Sequence, residues 1–146
     1  MQENRAMSIR KMTELTVPVK SQVGELAHVL GLVSQAGANV IAFCGYEHRG
    51  DSGGAEILVV PDNPDRAQAA LERAGYACKA NPVIVIRGAA GKGMGARMAD
   101  RFAKAGVNIL YSYASSTGSG QSSAIFRVAQ TDAALRALKA SSVPAS

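Results

Sequence analysis

The sequence predicts an α+β fold built from two ferredoxin-like βαββαβ domains in tandem, each an antiparallel sheet with helices packed on one face. Three observations predict it. Residues 17–43 (VPVKSQVGELAHVLGLVSQAGANVIAF) align without a gap on residues 86–112 (IRGAAGKGMGARMADRFAKAGVNILYS), so that Gly24 meets Gly93, Gly37 meets Gly106 and Asn39 meets Asn108 at one constant spacing. Within each copy, β-branched runs bounded by turn residues alternate with segments whose apolar residues recur at three and four. Hydrophobic residues make up 47% of the 146-residue chain and charged residues 18%, which excludes general disorder and allows one ordinary domain or two small ones sharing a core.

The first strand of each copy is ELTVPV (14–19) or PVIVIRG (82–88). The first helix runs from Gly24 to Ala36 with Leu26, Val29, Leu30 and Val33 on its apolar face, and its counterpart carries Met94, Met98, Phe102 and Ala105. Gly37 and Gly106 end these helices, as left-handed C-terminal caps do. NVIAFCGYE (39–47) and NILYSYAS (108–115) are second strands, HRGDSGG and STGSGQSS are turns, and AEILVV (55–60) and AIFRVA (124–129) complete hairpins. The last helices start at N-cap candidates, Asn63 before Pro64 and Thr131 before Asp132, with Leu71 and Leu138 in matching places. YACKA (76–80) supplies the closing strand of the first copy, whereas the second ends in KASSVPAS, poor strand material. The expected domains are 12–81 and 82–146, the second with a weak or missing final strand. Its open edge invites pairing with another chain or covering by the N-terminal arm near Ile9.

A net charge of +5 permits a polyanionic partner, but the basic residues are scattered singly (Arg66, Arg73, Arg97, Arg101, Lys104, Arg136, Lys139). With three Phe, four Tyr and no Trp there is little to stack on bases, so nucleic acid is disfavoured. No apolar run approaches the roughly 18 to 20 residues of a membrane span, and MQENRAMSIRKMTEL lacks the apolar stretch of a secretory signal. The expectation is a cytoplasmic protein with no membrane partner. Cys44 and Cys78 fall in apolar segments and read as buried free thiols rather than a bridge.

IRGAAGKGMGARM (86–98) resembles a phosphate loop at first sight. Gly91-Lys92 is followed by Gly93, so the Ser or Thr of a Walker loop is missing. A dinucleotide fingerprint starting at Gly91 and Gly93 fails as well, with Ala96 where its third glycine belongs. The loop is instead the glycine-rich form of a connection that reads KSQVGE in the first copy. Two readings stand: Gly24 and Gly93 permit a tight strand-to-helix turn, or the unpaired N–H groups opening each helix receive a small anion such as a carboxylate.

The strand, the glycine that opens the helix, the apolar helix face and the closing AGANV or AGVNI resemble the ACT domain, a regulatory module of amino-acid metabolism, over roughly residues 12–140. The resemblance implies side-by-side pairing of domains and ligands, typically free amino acids, bound where domains meet. It places contacts at the loop before the first helix and at the start of the second strand. These are Ser21, Gln22, Val23, Gly24 and Glu25 with Asn39, Val40 and Ile41 in the first copy. In the second they are Ala90, Gly91, Lys92, Gly93, Met94 and Gly95 with Asn108, Ile109 and Leu110. Family members often carry Asp-x-Pro-Gly before the helix, and this chain has Ser21-Gln22-Val23-Gly24 and Ala90-Gly91-Lys92-Gly93 there. Gln22 can replace the usual amide in the first copy only.

His28 and His48 have no second ligand at metal spacing and read as a helix-surface and a loop residue. Arg49-Gly50-Asp51 is a coincidental tripeptide; Glu47, His48, Arg49 and Asp51 are expected near one another at a solvated hairpin tip. Nucleophilic catalysis needs a hydroxyl or thiol beside an oriented base, and the second copy has no histidine; its serines 115, 116, 119, 122 and 123 read as a flexible turn. Beyond residue 75 only Asp100 and Asp132 are acidic, so paired carboxylates are lacking there too. The expectation is a non-enzymatic regulatory or sensor protein, without cofactor or metal, that binds an amino acid or similar carboxylate, forms a homo-oligomer such as a dimer and acts through a regulated protein partner. A ligand-free homo-oligomeric assembly module and, behind it, a ferredoxin-like RNA binder are the alternatives.

Overall fold

A computed structural model of the chain describes residues 7–50, 53–89 and 91–140. In chain order the elements are β1 (Ser8–Lys20), α1 (Glu25–Gln35), β2 (Val40–Glu47), β3 (Gly54–Pro61), α2 (Pro64–Arg73), β4 (Lys79–Ala89), α3 (Met94–Lys104), β5 (Ile109–Ser116), β6 (Gln121–Val128) and α4 (Thr131–Ala140). Two compact units result. One is Thr13–Asn81; the other takes residues 7–12 together with 82–140. The division falls inside β1 and β4, so each of these long strands contributes residues to both units.

In the Thr13–Asn81 unit the strands run β2-β3-β1, all antiparallel, with Leu15 opposite Val59 and Val17 opposite Ile57. These four side chains share one face, because side chains at directly opposite positions of an antiparallel pair point the same way. Val29 and Val33 of α1 and Ala67 and Leu71 of α2 close over them, completing a buried core. On the other side of β1, the Asn81 side-chain amide donates to the Thr16 hydroxyl at 3.2 Å. Asn63 caps α2 by accepting from the Arg66 N–H at 3.2 Å, with Pro64 in the first turn.

The second unit repeats this plan with β5-β6-β4, β1 lying beyond β4. Ile84, Ile86, Ala124, Phe126 and Val128 face Met94, Met98 and Phe102 of α3 and Ala134, Leu135 and Leu138 of α4. The rings of Phe102 and Phe126 pack tilted, with centroids 4.8 Å apart. Met7 and Ile9 pack against this core, so the start of the chain lies where a closing strand was expected to be lacking. The tail from 141 onward lies outside the described residues.

Several expectations need correction. YACKA is no separate strand: Tyr76 N–H closes the end of α2 by donating to the Leu71 carbonyl at 3.0 Å, and extended chain begins at Lys79 and continues without a break into β4. Leu26 is 40% exposed, leaving Val29 and Val33 as the buried residues of α1. Ala105 is the exposed C-cap of α3 rather than a core residue. Thr131 is the first residue of α4 and is buried, so the carbonyl of Gln130 receives the Ala134 N–H at 2.9 Å. Ser115 and Ser116 end β5, and Ser122 and Ser123 belong to β6, so only Ser119 of those serines lies in the turn. Cys44 and Cys78 are free but half-buried; burial raises both thiols, Cys78 to about 11, which keeps them protonated and unreactive at neutral pH.

Phe102→Ala should cost about 3–5 kcal/mol, since it removes a wholly buried ring and its packing against Phe126. Val23→Ala, at a fully exposed position, should change stability by less than about 0.5 kcal/mol. Urea denaturation followed by circular dichroism checks both.

Candidate functional site

Each unit turns from strand to helix through a glycine in the left-handed region, Gly24 at φ 93° and Gly93 at φ 77°. A residue with a Cβ is disfavoured there by roughly 1–2 kcal/mol. Because glycine has no side chain, neither α1 nor α3 receives a side-chain cap, and the first N–H groups of each helix face the loop. The expected residues of the two strand-to-helix loops fall around these mouths, which differ in charge.

At the first mouth, Ser21 is tied down twice. Its N–H donates to the Gly53 carbonyl at 2.9 Å and its hydroxyl to the Glu47 carboxylate. Gln22 donates from Nε2 to Glu25 Oε1 at 3.1 Å, and Val23 projects fully into solvent. Glu25, in the first turn of α1, also accepts from the Tyr76 hydroxyl at 2.8 Å, and His28 Nδ1 lies 2.7 Å from that hydroxyl. A phenol has one proton to give. With it committed to Glu25, the His28 contact requires a proton on Nδ1. Burial first, then the hydrogen bond to Glu25 and its charge, push the Tyr76 phenol up to about 12. The side chain in the opening turn of α1 is thus a carboxylate already satisfied by Gln22 and Tyr76.

At the second mouth the position equivalent to Glu25 is Met94, buried in the core, and the first turn of α3 holds no acid. Ala90 lies outside the described residues; Gly91, Lys92, Gly93 and Gly95 are exposed. Arg97 Nη1 donates to the Lys92 carbonyl at 2.6 Å and braces the loop. Residues 82–146 carry eight Lys or Arg and two acids, against five and eight in 13–81. The field at α3 therefore favours an anion, while that at α1 is already balanced by Glu25.

The second group of expected contacts stands elsewhere. Val40 pairs with Pro61 at one end of the hairpin, whereas Glu47 pairs with Ala55 and Lys20 with Gly54 at the other. Asn39, Val40 and Ile41 are thus separated from Ser21–Glu25 of the same unit by the length of β2, roughly 25 Å of extended chain. Asn39 binds Asp62 through its N–H at 2.8 Å and its side-chain amide at 3.1 Å, and its carbonyl accepts the Asp62 N–H at 2.9 Å. Val40 packs against the core beside half-buried Ile41. In the second unit Asn108, whose carbonyl accepts the Ala129 N–H at 3.1 Å, core-packed Ile109 and half-exposed Leu110 are likewise at the end of β5 remote from Gly91–Gly95. What the hairpin brings to the first mouth instead is Glu47, which the sequence places at the hairpin tip but not at the loop before α1.

At the hairpin tip Glu47, His48 and Arg49 are exposed. His48 and Tyr46 both meet Glu56 Oε2, at 3.0 and 3.1 Å, rather than neighbours on the loop, and Asp51 lies outside the described residues. Among the described residues no group of three His, Cys, Asp or Glu stands together to hold a metal, and no helix is long and apolar enough to cross a membrane.

The family described as an ACT domain pair matches residues 7–141. The chain belongs to the ACT domain family. Similar folds include protein BT0572 from Bacteroides thetaiotaomicron, at TM-score 0.77 and 22% identity, covering 90% of this chain and 89% of that one. The ligand-free regulatory subunit of aspartate kinase from Thermus thermophilus superposes at TM-score 0.66 and 18% identity, covering 94% and 97%. No curated protein matches the chain. Within this ACT pair the two strand-to-helix glycines keep one backbone geometry while the residue after each, Glu25 or Met94, sets the charge of the mouth.

Of the four tyrosines, Tyr76 should titrate near 12, and Tyr76→Phe should abolish that step in an ultraviolet titration. Since folding raises this phenol from its ordinary 10, its contribution to stability is complete below pH 10 and is lost as pH rises toward 12.

Proposed function

We propose that this ACT pair is a regulatory or sensor protein that binds a small amino acid or related carboxylate, with the carboxylate received at the mouth of α3. The observation that carries the reading is the open, acid-free start of that helix, set in a strongly basic half of the chain with Lys92 and Arg97 at the loop. Gly91, Gly93 and Gly95 let a ligand approach the backbone closely. The occurrence of the same fold in regulatory subunits of aspartate kinase supports a regulatory role without chemistry of its own. Output then passes through assembly or a protein partner, because the ligand favours the conformation that surrounds it best, on a coupling scale of about 1–3 kcal/mol.

A screen of the twenty amino acids by thermal shift tests this. One of them should raise the melting temperature with concentration, as mass action requires. Gly93→Val should lose that shift while keeping a native circular dichroism spectrum, and calorimetry showing unchanged affinity in the folded variant would move the site elsewhere. If all twenty leave the wild type unmoved, amino-acid sensing is wrong.

The second reading, a ligand-free homo-oligomeric module, has its own support. Phe43 and Tyr46 are each 48% exposed on β2, the outermost strand of the Thr13–Asn81 unit. Light scattering should then report a dimer, and Phe43→Asp should shift it toward monomer; a monomer at all concentrations would exclude this assembly.

A further inference from the structure

One polar group in the second unit is unaccounted for by its fold. The hydroxyl oxygen of Ser122 is shut off from solvent and has no hydrogen-bond partner among the described residues. Leaving a buried hydroxyl unmade is costly, so its occurrence asks for an explanation. Its placement supplies one. In the register of β4 and β6, Ser122 stands opposite Gly88, two positions along from the Ile86 and Ala124 pair and four from Ile84 and Phe126. Those four residues belong to the core under α3 and α4, so by strand alternation Ser122 also points to the helix side. Gly88 is near the end of β4, just before the loop that opens α3. The hydroxyl therefore lies at the sheet end of the α3 mouth.

The first unit provides a control. The pair equivalent to Gly88 and Ser122 is Val19 opposite Ala55, and Val19 packs against the core there. In the second unit the valine side chain is gone and a hydroxyl replaces a methyl hydrogen opposite it. Both changes, a smaller residue on β4 and a hydroxyl opposite it, fall at the mouth whose helix start lacks an acid.

We propose that Gly88 and Ser122 form the floor of the ligand subsite, with Ser122 Oγ donating a hydrogen bond to the carboxylate held at the start of α3. The inference rests on the reading of the α3 mouth as a carboxylate site, and it extends that site inward from the loop to the sheet. The Ser122 hydroxyl is a contact of one class of ligand group: its single proton meets a carboxylate oxygen, and the backbone N–H groups and Lys92 meet the other side of the same group.

The test uses the amino acid giving the largest thermal shift and its α-amide, in which the carboxylate is replaced by a carboxamide, measured by calorimetry on the wild type and Ser122→Ala. Loss of a charge-assisted hydrogen bond should weaken the acid by roughly ten- to a hundredfold and the amide by much less. Because the variant removes an unsatisfied buried hydroxyl, its melting temperature without ligand should be equal or higher. Unchanged affinity for the acid, or equal loss for acid and amide, would overturn the assignment of Ser122 while leaving carboxylate binding at α3 standing. Failure of every amino acid to bind the wild type would remove both. Should Ser122→Ala not fold, amide NMR of the wild type decides instead: the Gly88 and Ser122 N–H signals must move on adding the amino acid, and their immobility while Gly93 moves would sink the proposal.

Discussion

The turn from strand to helix through a left-handed glycine is the constraint on which this molecule's chemistry depends. Only a residue without Cβ adopts that backbone readily, and the same lack of a side chain leaves the helix start uncapped. Polar N–H groups with no intrahelical partner must then be met by something: a neighbouring acid, water or a ligand. In the first unit Glu25 stands in the opening turn and is fixed by Gln22 and Tyr76. In the second, Met94 turns into the core and no acid stands in the first turn. One substitution between copies thus converts an internally balanced mouth into an electropositive one, without altering the turn.

The core absorbs the differences between copies by exchange of volume rather than of pattern. Val29 and Val33 of α1 become Met98 and Phe102 of α3, and Val59 of β3 becomes Phe126 of β6. The extra bulk is accommodated partly because Ile57 becomes Ala124, while Leu71 and Leu138 stay constant. Close-packed interiors tolerate such paired changes well when total volume and polarity are kept. The helix axis can then keep its station above the sheet, which is what holds Gly24 and Gly93 in equivalent places.

Much of this was legible in the residues themselves. The constant spacing between copies located both mouths, and the three-and-four apolar recurrence found Val29, Val33, Met98 and Phe102. Periodicity failed where a second demand competed with it. Leu26 fits the helical spacing but lies in the first turn of α1 and is 40% exposed. YACKA has strand-like residues, but Tyr76 is bound to Leu71 and Glu25 and ends the helix instead. The extension of β1 back to Ser8 shows in the sequence only as an arm near Ile9 able to cover the open edge; its strand character comes from pairing and from the seating of Ile9 on the second core. Ser122 reads as turn because it lies in a Ser/Gly-rich run; the pairing with β4 and β5 makes it and Ser123 residues of β6.

That register also limits what one unit can do for a ligand. Contacts at the loop and contacts at the start of β2 or β5 stand at opposite ends of the same hairpin, and Asn39 is already spent on Asp62. Within a single unit, the groups that do converge on the mouth come from the near hairpin end: Glu47 in the first, and Ser122 beside Gly88 in the second. A carboxylate contributed by the protein stands at one mouth and a hydroxyl donor at the other. The two mouths therefore differ in charge, and their shared backbone does not imply a shared ligand group. Repetition of a fold conserves the place where N–H groups are exposed, while three side-chain positions, 25 or 94, 19 or 88, and 55 or 122, decide what those groups can hold.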